Sequence, residues 1–169
     1  LRQAAASLPG FLGVARRMQV RGTAAGVTVI DDFAHHPTKV RETVRAARSR
    51  YPGARLVAVF EPRNNSSRRR VFQEAYASSF AGADEVVVVP PFEADRLLPE
   101  ERFDPAALVR ALTERGQRAV QLGSADQVVA DLSGRLSSGA VVLIMSNGAF
   151  DNIHEKLLQA LRRKEKGPW

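Results

Sequence analysis

Two carboxylates and two imidazoles stand close together early in the chain, in the segment Asp31-Asp32-Phe33-Ala34-His35-His36. A carboxylate accepts hydrogen bonds, and an imidazole donates a hydrogen bond or, when it is protonated, offers a positive charge. Taken alone, an adjacent pair of histidines is more often structural than catalytic, and without a third ligand it does not predict a metal site. The segment therefore indicates contacts with a polar ligand, with His36 and Pro37 starting the helix that follows.

A second polar group combines arginines with asparagines, and it consists of Arg63, Asn64, Asn65, Arg68, Arg69 and Arg70. Because a guanidinium group matches a carboxylate with two parallel hydrogen bonds, Arg63 is a candidate carboxylate ligand. Asn64 and Asn65 could hydrogen-bond peptide groups, or they could simply form a turn and cap a helix. Three consecutive arginines on a helix diverge by about 100° each, so we expect Arg68, nearest the helix start, to face a ligand.

A third polar group, Ser146, Asn147 and Gly148, lies just before a predicted helix. Backbone N–H groups at a helix N-terminus favour an anion, although a single glycine there is also typical of an ordinary strand-turn-helix connection. The sequence does not indicate whether four further residues contact a ligand, namely Arg69, Arg70, Arg96 and His154.

Short β-branched segments alternate with amphipathic helical segments along the chain. The predicted strands are residues 27–32, 55–60, 85–89, 118–122 and 140–145, and the predicted helices are residues 37–50, 67–80, 104–115, 124–136 and 150–163. Apolar strands such as residues 86–89 indicate burial on both faces, which is typical of a parallel sheet between two layers of helices.

A further strand at residues 16–21 would pair with the first parallel strand through a connection at residues 22–26. The sequence thus predicts a Rossmann-like, doubly wound α/β fold with a mostly parallel sheet of about six strands, five parallel and one antiparallel at the edge, and helices on both faces. In such a sheet ligands bind beyond the carboxyl ends of the strands. All three polar groups follow predicted strands, so we expect them to share one edge.

The composition is that of one ordinary folded domain of 169 residues with 44% hydrophobic residues and no cysteine. Residues 1–72 hold 14 lysines and arginines but only four acidic residues, so the positive charge is one-sided and favours an anionic partner. No apolar segment approaches the roughly 20 residues of a membrane helix, and the N-terminus lacks a signal-peptide pattern, so we expect a cytoplasmic protein without a membrane partner.

Two other classes of protein fit the sequence less well. A basic nucleic-acid-binding domain would explain the charge, but aromatic residues make up only 7% of the chain and no recognised nucleic-acid-binding motif is present. A dinucleotide-dependent oxidoreductase would suit the fold, but no Gly-x-Gly-x-x-Gly follows the first parallel strand. We therefore expect no nucleic-acid partner.

The segment Asp-Asp-Phe-Ala-His-His-Pro-Thr at residues 31–38 resembles the strand-to-helix motif that opens the C-terminal domain of the Mur ligases. The resemblance covers essentially the whole chain. Residues 11–18 resemble the linker from the central ATPase domain in the branch that uses UDP-N-acetylmuramate. The resemblance implies a linker and edge strand at 1–22, the C-terminal domain at 23–163, a tail at 164–169, and a preceding central domain.

Within that branch, alanine-adding enzymes typically carry Gln-Pro-His-Arg-Tyr after the second parallel strand, where this chain has Glu61-Pro62-Arg63-Asn64-Asn65. At these positions, and at residues 146–150 and 153–154, the chain resembles the ligases of peptidoglycan recycling. Those enzymes attach the tripeptide L-alanyl-γ-D-glutamyl-meso-diaminopimelate to UDP-N-acetylmuramate. The alternative is a ligase that adds L-alanine.

The resemblance implies ATP-dependent amide formation through an acyl phosphate, with ATP and Mg²⁺ as cofactors. Because the sequence lacks a Gly-x-x-x-x-Gly-Lys-Ser/Thr motif, we expect the central domain to bind phosphate and metal, with no metal site in this domain and no activity from this chain alone. The residues implied for ATP are Asp32 at the ribose, His35 at the γ-phosphate in a catalytic role, and Arg68. Those implied for the substrates are Arg63, Asn64, Asn65, Ser146, Asn147 and Gly148. Asp31 is interpreted as an N-cap or loop carboxylate without a ligand contact.

Overall fold

Six strands form one sheet in the computed structural model of the chain, which describes residues 14–165. They are β1 (Gln19–Ala24), β2 (Val27–Asp32), β3 (Leu56–Phe60), β4 (Glu85–Val88), β5 (Arg118–Gln121) and β6 (Val141–Met145). Their order in the sheet is β1-β2-β6-β3-β4-β5, with β1 antiparallel to β2 and every other pair parallel. The predicted doubly wound α/β fold is confirmed.

Within residues 14–165, five α-helices alternate with the parallel strands, and they are α1 (Pro37–Arg50), α2 (Gln73–Tyr76), α3 (Pro105–Glu114), α4 (Ala125–Arg135) and α5 (Ile153–Glu165). Side chains cap three of them. His36 accepts from the N–H of Thr38 before α1, Asp104 caps α3, and Ser124 caps α4. Because a cap satisfies an otherwise unpaired N–H of the first turn, these helices begin within one residue of their predicted starts.

The helix predicted at 67–80 is wrong in extent, because only α2 and a 3-10 turn at Arg70–Phe72 are helical there. The Asn64 side-chain oxygen accepts from the backbone N–H of Ser67 at 2.7 Å, and the Ser79 hydroxyl donates to the carbonyl of Ala75 at 2.8 Å. Short polar side chains that bond to the backbone compete with helical hydrogen bonds. This competition breaks the helix at both ends.

The edge strand also differs from its predicted position at 16–21. β1 runs from Gln19 to Ala24, and the connection to β2 shrinks to Ala25 and Gly26. Both of these residues have positive φ, +48° and +69°, as a two-residue type I′ hairpin requires. Residues 1–13 of the predicted linker lie outside the described residues.

The last helix differs from its predicted bounds as well. Phe150, Asp151 and Asn152 all have positive φ, between 45° and 54°, so α5 begins at Ile153 instead of residue 150. Lys164 and Glu165 lie in α5, and the Lys164 ammonium donates to the carbonyl of Leu136 at 2.8 Å. Residues 166–169 of the predicted tail lie outside the described residues. The positive φ angles of Phe150, Asp151 and Asn152 are energetically costly, because non-glycine residues rarely adopt the left-handed region.

A hydrophobic cluster covers each face of the sheet. One contains the aromatic side chains Phe60, Tyr76, Phe80 and Phe103, and the other packs α4 and α5 on the sheet through residues such as Leu132 and Leu157. The Tyr76 hydroxyl donates to the carbonyl of His35. The aromatic cluster thus supports the loop after β2.

A buried carboxylate, Glu85, starts β4 at the edge of the sheet opposite to that loop. Arg135 and Arg55 donate to it at 2.5 and 2.9 Å. Burial alone would raise the pKa of Glu85, but the hydrogen bonds from the two arginines outweigh burial and lower its pKa. Glu85 is therefore a stabilising anion in the folded state at neutral pH.

We expect Glu85→Gln to lower the free energy of unfolding at pH 7 by about 2 kcal/mol, because a neutral amide leaves the half-exposed arginines without their partner. A depressed pKa contributes stability above the ordinary pKa of the group, and that stability is lost as the pH falls through the folded-state pKa. Urea unfolding of both proteins from pH 7 down to pH 3 should therefore show the two curves converging. A constant difference across that range would contradict the assignment.

Candidate functional site

The loops after β2, β3, β4 and β6 meet at one edge of the sheet, as the sequence predicts. The Glu61 N–H donates to the carbonyl of Met145 at 3.1 Å, and the Ser146 N–H donates to the carbonyl of Asp32 at 3.2 Å. These bonds continue the parallel pairing of β2, β6 and β3 beyond the ends of the strands. The polar groups that follow these three strands are thus neighbours.

Arg63 lies at the junction of three of these loops. Its guanidinium carbon is 3.6 Å from the centroid of the Phe92 ring, and its Nη1 is 3.5 Å from Glu61 Oε1. Its stem crosses Gly148 so closely that a Cβ on that glycine would stand 1.9 Å from Arg63 Nε. Stacking on an aromatic face orients a guanidinium while leaving its N–H groups free to donate. Arg63 is therefore a pre-oriented cation that is 23% exposed.

Glu61, to which the sequence analysis assigned no role, supports this arrangement. The Ser146 hydroxyl donates to Glu61 Oε2 at 2.5 Å, and the N–H of Gly148 donates to the Ser146 oxygen at 3.0 Å. Burial raises the pKa of Glu61, and the Ser146 hydrogen bond and the charge of Arg63 offset only part of that effect. The signal for Glu61 was a carboxylate directly after a fully buried strand. Ser146 is thus engaged with the protein, and its substrate role remains a prediction.

The three asparagines differ in whether their side-chain oxygens are free to accept a hydrogen bond from a ligand. Asn64 Oδ1 accepts from Ser67, which is the turn that the sequence left open as an alternative. Asn65 is exposed, with Oδ1 3.4 Å from Arg69 Nε. Asn147 Oδ1 is buried and has no hydrogen-bond partner among the described residues, so it is the asparagine with an unsatisfied acceptor.

Arg68 holds the loop after β4. Its Nη1 donates to the carbonyl of Phe92 at 3.1 Å and lies 3.8 Å from Glu93 Oε2, while its buried Nε has no partner among residues 14–165. Arg69 and Arg96 form ion pairs with Glu101 and Glu93. Arg68 therefore fixes the ring on which Arg63 stacks, and its contact with ATP remains a prediction.

Asp32 lies at the end of β2 and is almost fully buried. Its two oxygens accept from the N–H groups of Met18 and Ala34, both at 2.8 Å, and from the Thr43 hydroxyl at 3.3 Å. A carboxylate offers about four acceptor positions, so Asp32 retains room for one more donor. It opens onto a cleft of about 260 Å³ that Arg17 and Lys39 also line.

We expect Asp32→Asn to lower the free energy of unfolding by about 2 kcal/mol, because the amide NH₂ would face a backbone N–H that has lost its acceptor. Urea unfolding of the chain measures this difference. The matched control is Asp95→Asn, an exposed carboxylate in the 3-10 turn after β4, which should change stability by less than about 0.5 kcal/mol. Equal effects of the two substitutions would show that Asp32 does not anchor the segment before β1.

His35 stands in the loop between Asp32 and α1. Its Nδ1 lies 2.9 Å from the carbonyl oxygen of Phe33, so Nδ1 carries the proton when the ring is neutral. Nε2 is then an acceptor, and it becomes a donor toward a phosphate only when the ring is protonated. The neighbouring His36 caps α1, as predicted.

Asp31 lies on β2, as the strand predicted at residues 27–32 implies, so its interpretation as an N-cap or loop carboxylate is wrong. It points to the opposite face of the sheet from Asp32 because successive side chains of a strand alternate. There it lies near Arg16, Arg21 and His154.

Within residues 14–165, no three His, Cys, Asp or Glu side chains lie together in a way that could hold a metal ion. The helices of this part of the chain are too short or too polar to cross a membrane.

Residues 16–148 match the family described as Mur ligase, glutamate ligase domain. The chain belongs to the Mur ligase family. A relative from Escherichia coli strain K12, UDP-N-acetylmuramate–L-alanyl-γ-D-glutamyl-meso-2,6-diaminoheptandioate ligase, is 38% identical over 95% of this chain and 33% of its own length. The UDP-N-acetylmuramate–L-alanine ligase of Desulfitobacterium hafniense strain Y51 is 33% identical over 90% of this chain and 34% of its own length.

The Mur ligase fold is also found in solved structures. The crystal structure of a murein peptide ligase from Psychrobacter arcticus 273-4 superposes with a TM-score of 0.78 at 32% identity, covering 94% of this chain and 32% of that one. The chain thus spans about a third of the length of the relatives that it matches.

Proposed function

We propose that this chain is the C-terminal domain of an ATP-dependent ligase that joins L-alanyl-γ-D-glutamyl-meso-diaminopimelate to UDP-N-acetylmuramate. The observation that carries the proposal is the oriented guanidinium of Arg63 at the junction of three loops. The tripeptide offers several carboxylates to such a group, whereas free L-alanine offers one. The E. coli relative bears the name of this reaction, and the chain shares 38% of its residues over the matched length.

The structure around Arg63 favours a carboxylate that arrives in one orientation. Phe92 fixes the plane of the guanidinium, and Glu61 Oε1 lies 3.5 Å from one of its nitrogens. Because these groups are already ordered before the substrate binds, less conformational entropy is lost on binding. Arg63 therefore positions the peptide, while the chemistry takes place at the amine and carboxylate that it brings together.

The cleft beside Asp32 is the part of the domain that suits a nucleotide. Asp32 has one free acceptor position for a ribose hydroxyl, and Arg17 and Lys39 supply positive charge for phosphates. His35, when it is protonated, can donate from Nε2 to a phosphate oxygen. ATP and Mg²⁺, when bound, supply the phosphoryl transfer that activates the muramate carboxylate. The relatives' remaining two thirds would contribute the phosphate-binding loop that this sequence lacks.

The test measures phosphate release by the complete ligase, meaning this chain together with the remaining two thirds of the length that its relatives possess. With ATP and UDP-N-acetylmuramate present, the tripeptide should give a kcat/KM at least about tenfold higher than free L-alanine. Preferential use of L-alanine would instead assign the chain to the reaction that the D. hafniense relative is named for. If neither the tripeptide nor L-alanine supports phosphate release, both assignments are refuted.

A companion measurement uses the 169-residue chain alone. The two hydrophobic clusters give it a core on each face of the sheet, so it should fold independently. We expect no phosphate release and no sub-millimolar ATP binding in calorimetry, because one carboxylate and two surface cations do not enclose a triphosphate. Tight ATP binding by the isolated chain would show that its phosphate site lies in this domain.

A further inference from the structure

A second cleft, of about 400 Å³, opens on the side of β2 opposite to Asp32. Polar and charged side chains line it, namely Arg16, Arg21, Asp31, His154 and Asn152, together with the backbone of Gly148. Because Gly148 also lies under Arg63, this cleft continues the peptide side of the candidate site.

Asp31 is buried in this cleft, and its contacts with the surrounding cationic side chains are long. Arg16 Nε, Arg21 Nη1 and His154 Nε2 lie 3.4, 3.5 and 3.4 Å from its oxygens, whereas charge-assisted hydrogen bonds usually measure about 2.7–2.9 Å. Burial alone would raise the pKa of Asp31, but His154 and Arg16 outweigh it and hold the pKa below its ordinary value. Asp31 is therefore an anion with unused acceptor capacity.

His154 is the second underused group. Only 5% of the residue is exposed, and Nε2 makes no hydrogen bond to the described residues, since its contact with Asp31 lacks hydrogen-bond geometry. Buried polar atoms nearly always have a partner, so an unpaired one beside a cleft points to a ligand or a bound water.

Arg21 reaches the cleft from a β-bulge. Val20 pairs with Ile30 and Gly22 pairs with Val29, so Arg21 is the extra residue between them. Bulges of this kind redirect a side chain at the edge of a sheet. The guanidinium of Arg21 is 31% exposed and also contacts Glu155 at 3.2 Å, so it remains accessible to a ligand.

Arg16 forms the wall of the cleft. Its Nη2 donates to the carbonyls of Ser146 and Gly148 at 2.6 and 2.8 Å, which fixes the loop after β6 next to Asp31. This engagement leaves Arg21 as the cation that can turn toward a ligand.

We propose that this cleft binds the free end of the diaminopimelate residue, where one carbon carries both an ammonium and a carboxylate. This proposal rests on the proposed function. Diaminopimelate has two amino groups and the peptide bond uses one, so the other end of the residue stays zwitterionic. Asp31 accepts from the ammonium, Arg21 binds the carboxylate, and His154 Nε2 supplies a further hydrogen bond.

The charges of the cleft favour a zwitterion over an anion. Asp31 lies within 3.5 Å of both arginines, so an anion bound there would also face this carboxylate. A group that carries both charges gives each side chain an opposite partner and leaves none unpaired.

The test compares three peptides in the complete ligase by kcat/KM. They are the natural tripeptide, the same tripeptide with L-lysine in place of diaminopimelate, and the dipeptide L-alanyl-γ-D-glutamate. The lysine peptide keeps the distal ammonium but lacks the distal carboxylate. We expect Arg21→Ala to lower use of the natural tripeptide about tenfold to thirtyfold and to change use of the other two by less than about twofold. His154→Gln should lower kcat/KM for the natural tripeptide about threefold, and it should change use of the other two peptides by less than about twofold.

Arg55→Ala is the matched control, because Arg55 also contacts a buried carboxylate, Glu85, and is similarly exposed, but lies at the opposite edge of the sheet. This substitution should leave the ratios of kcat/KM between the three peptides unchanged. Equal losses on all three peptides with Arg21→Ala, or a wild type that does not distinguish diaminopimelate from lysine, would overturn this inference alone. Preference of the wild type for free L-alanine would overturn the proposed function and this inference together.

Discussion

Arg63→Ala is expected to lower kcat/KM for the tripeptide about a hundredfold in the complete ligase, while the KM values for ATP and UDP-N-acetylmuramate change less than about threefold. The reason is that a guanidinium shielded by Phe92 and Gly148 binds a carboxylate more strongly than an exposed one would. Arg63→Lys should restore only part of the loss, because an ammonium cannot form two parallel hydrogen bonds or stack on the Phe92 ring.

Steady-state constants for all three substrates test this expectation. The control is Arg69→Ala, which removes a nearby arginine whose partner, Glu101, is itself partly exposed, and it should change each constant less than about twofold. Losses of equal size for the three substrates would mean that Arg63 serves folding or nucleotide binding. Full rescue by lysine would show that the interaction does not require two parallel hydrogen bonds.

Gly148→Ala should reproduce most of the Arg63→Ala defect. The backbone of Gly148 is not in the left-handed region, so alanine is conformationally acceptable there. A new Cβ would, however, stand 1.9 and 2.0 Å from Nε and Cδ of Arg63, so the arginine must leave its place between Phe92 and Glu61. We expect a loss of about thirtyfold to a hundredfold in kcat/KM for the tripeptide.

A double-mutant cycle separates this mechanism from a general disturbance of the loop. In the Arg63→Ala background, Gly148→Ala should cost less than about threefold, because the atoms with which the Cβ collides are gone. Gly134→Ala is the control, since a Cβ on Gly134 would meet nothing within 4 Å. Fully additive losses would show that Gly148 acts on the ligand or on the backbone independently of Arg63.

The sequence predicts most of the fold because its signals are local. The apolar strands β3 and β6 are buried along their whole lengths, as two-sided packing requires. Caps such as Asp104 place their helices within one residue. Since the carboxyl ends of parallel strands share one edge, the meeting of Arg63 and Gly148 also follows from the order of strands and loops.

The remaining features depend on contacts between residues far apart in the chain. Phe92 becomes part of the site only when the loop after β4 folds against Arg63, and no spacing in the sequence shows this. The contacts of Asp31 with Arg21 on β1 and His154 on α5 were not predicted, because position in the sequence alone does not show which residues pack against it. The sequence predicts the hairpin turn too early, because β1 continues past a bulge through Gly22, and a glycine is typical of a turn.

The bulge at Arg21 also bears on how copies of the domain behave in concentrated solution. An exposed edge strand invites pairing with a strand of another molecule, and a long, flat, apolar edge does so most readily. β1 is interrupted at Arg21, and β5 at the other edge has only four residues and begins with the exposed Arg118. Both edges of the sheet are therefore poor templates for a further strand, and deleting Arg21 would regularise β1 and make the domain more prone to aggregate.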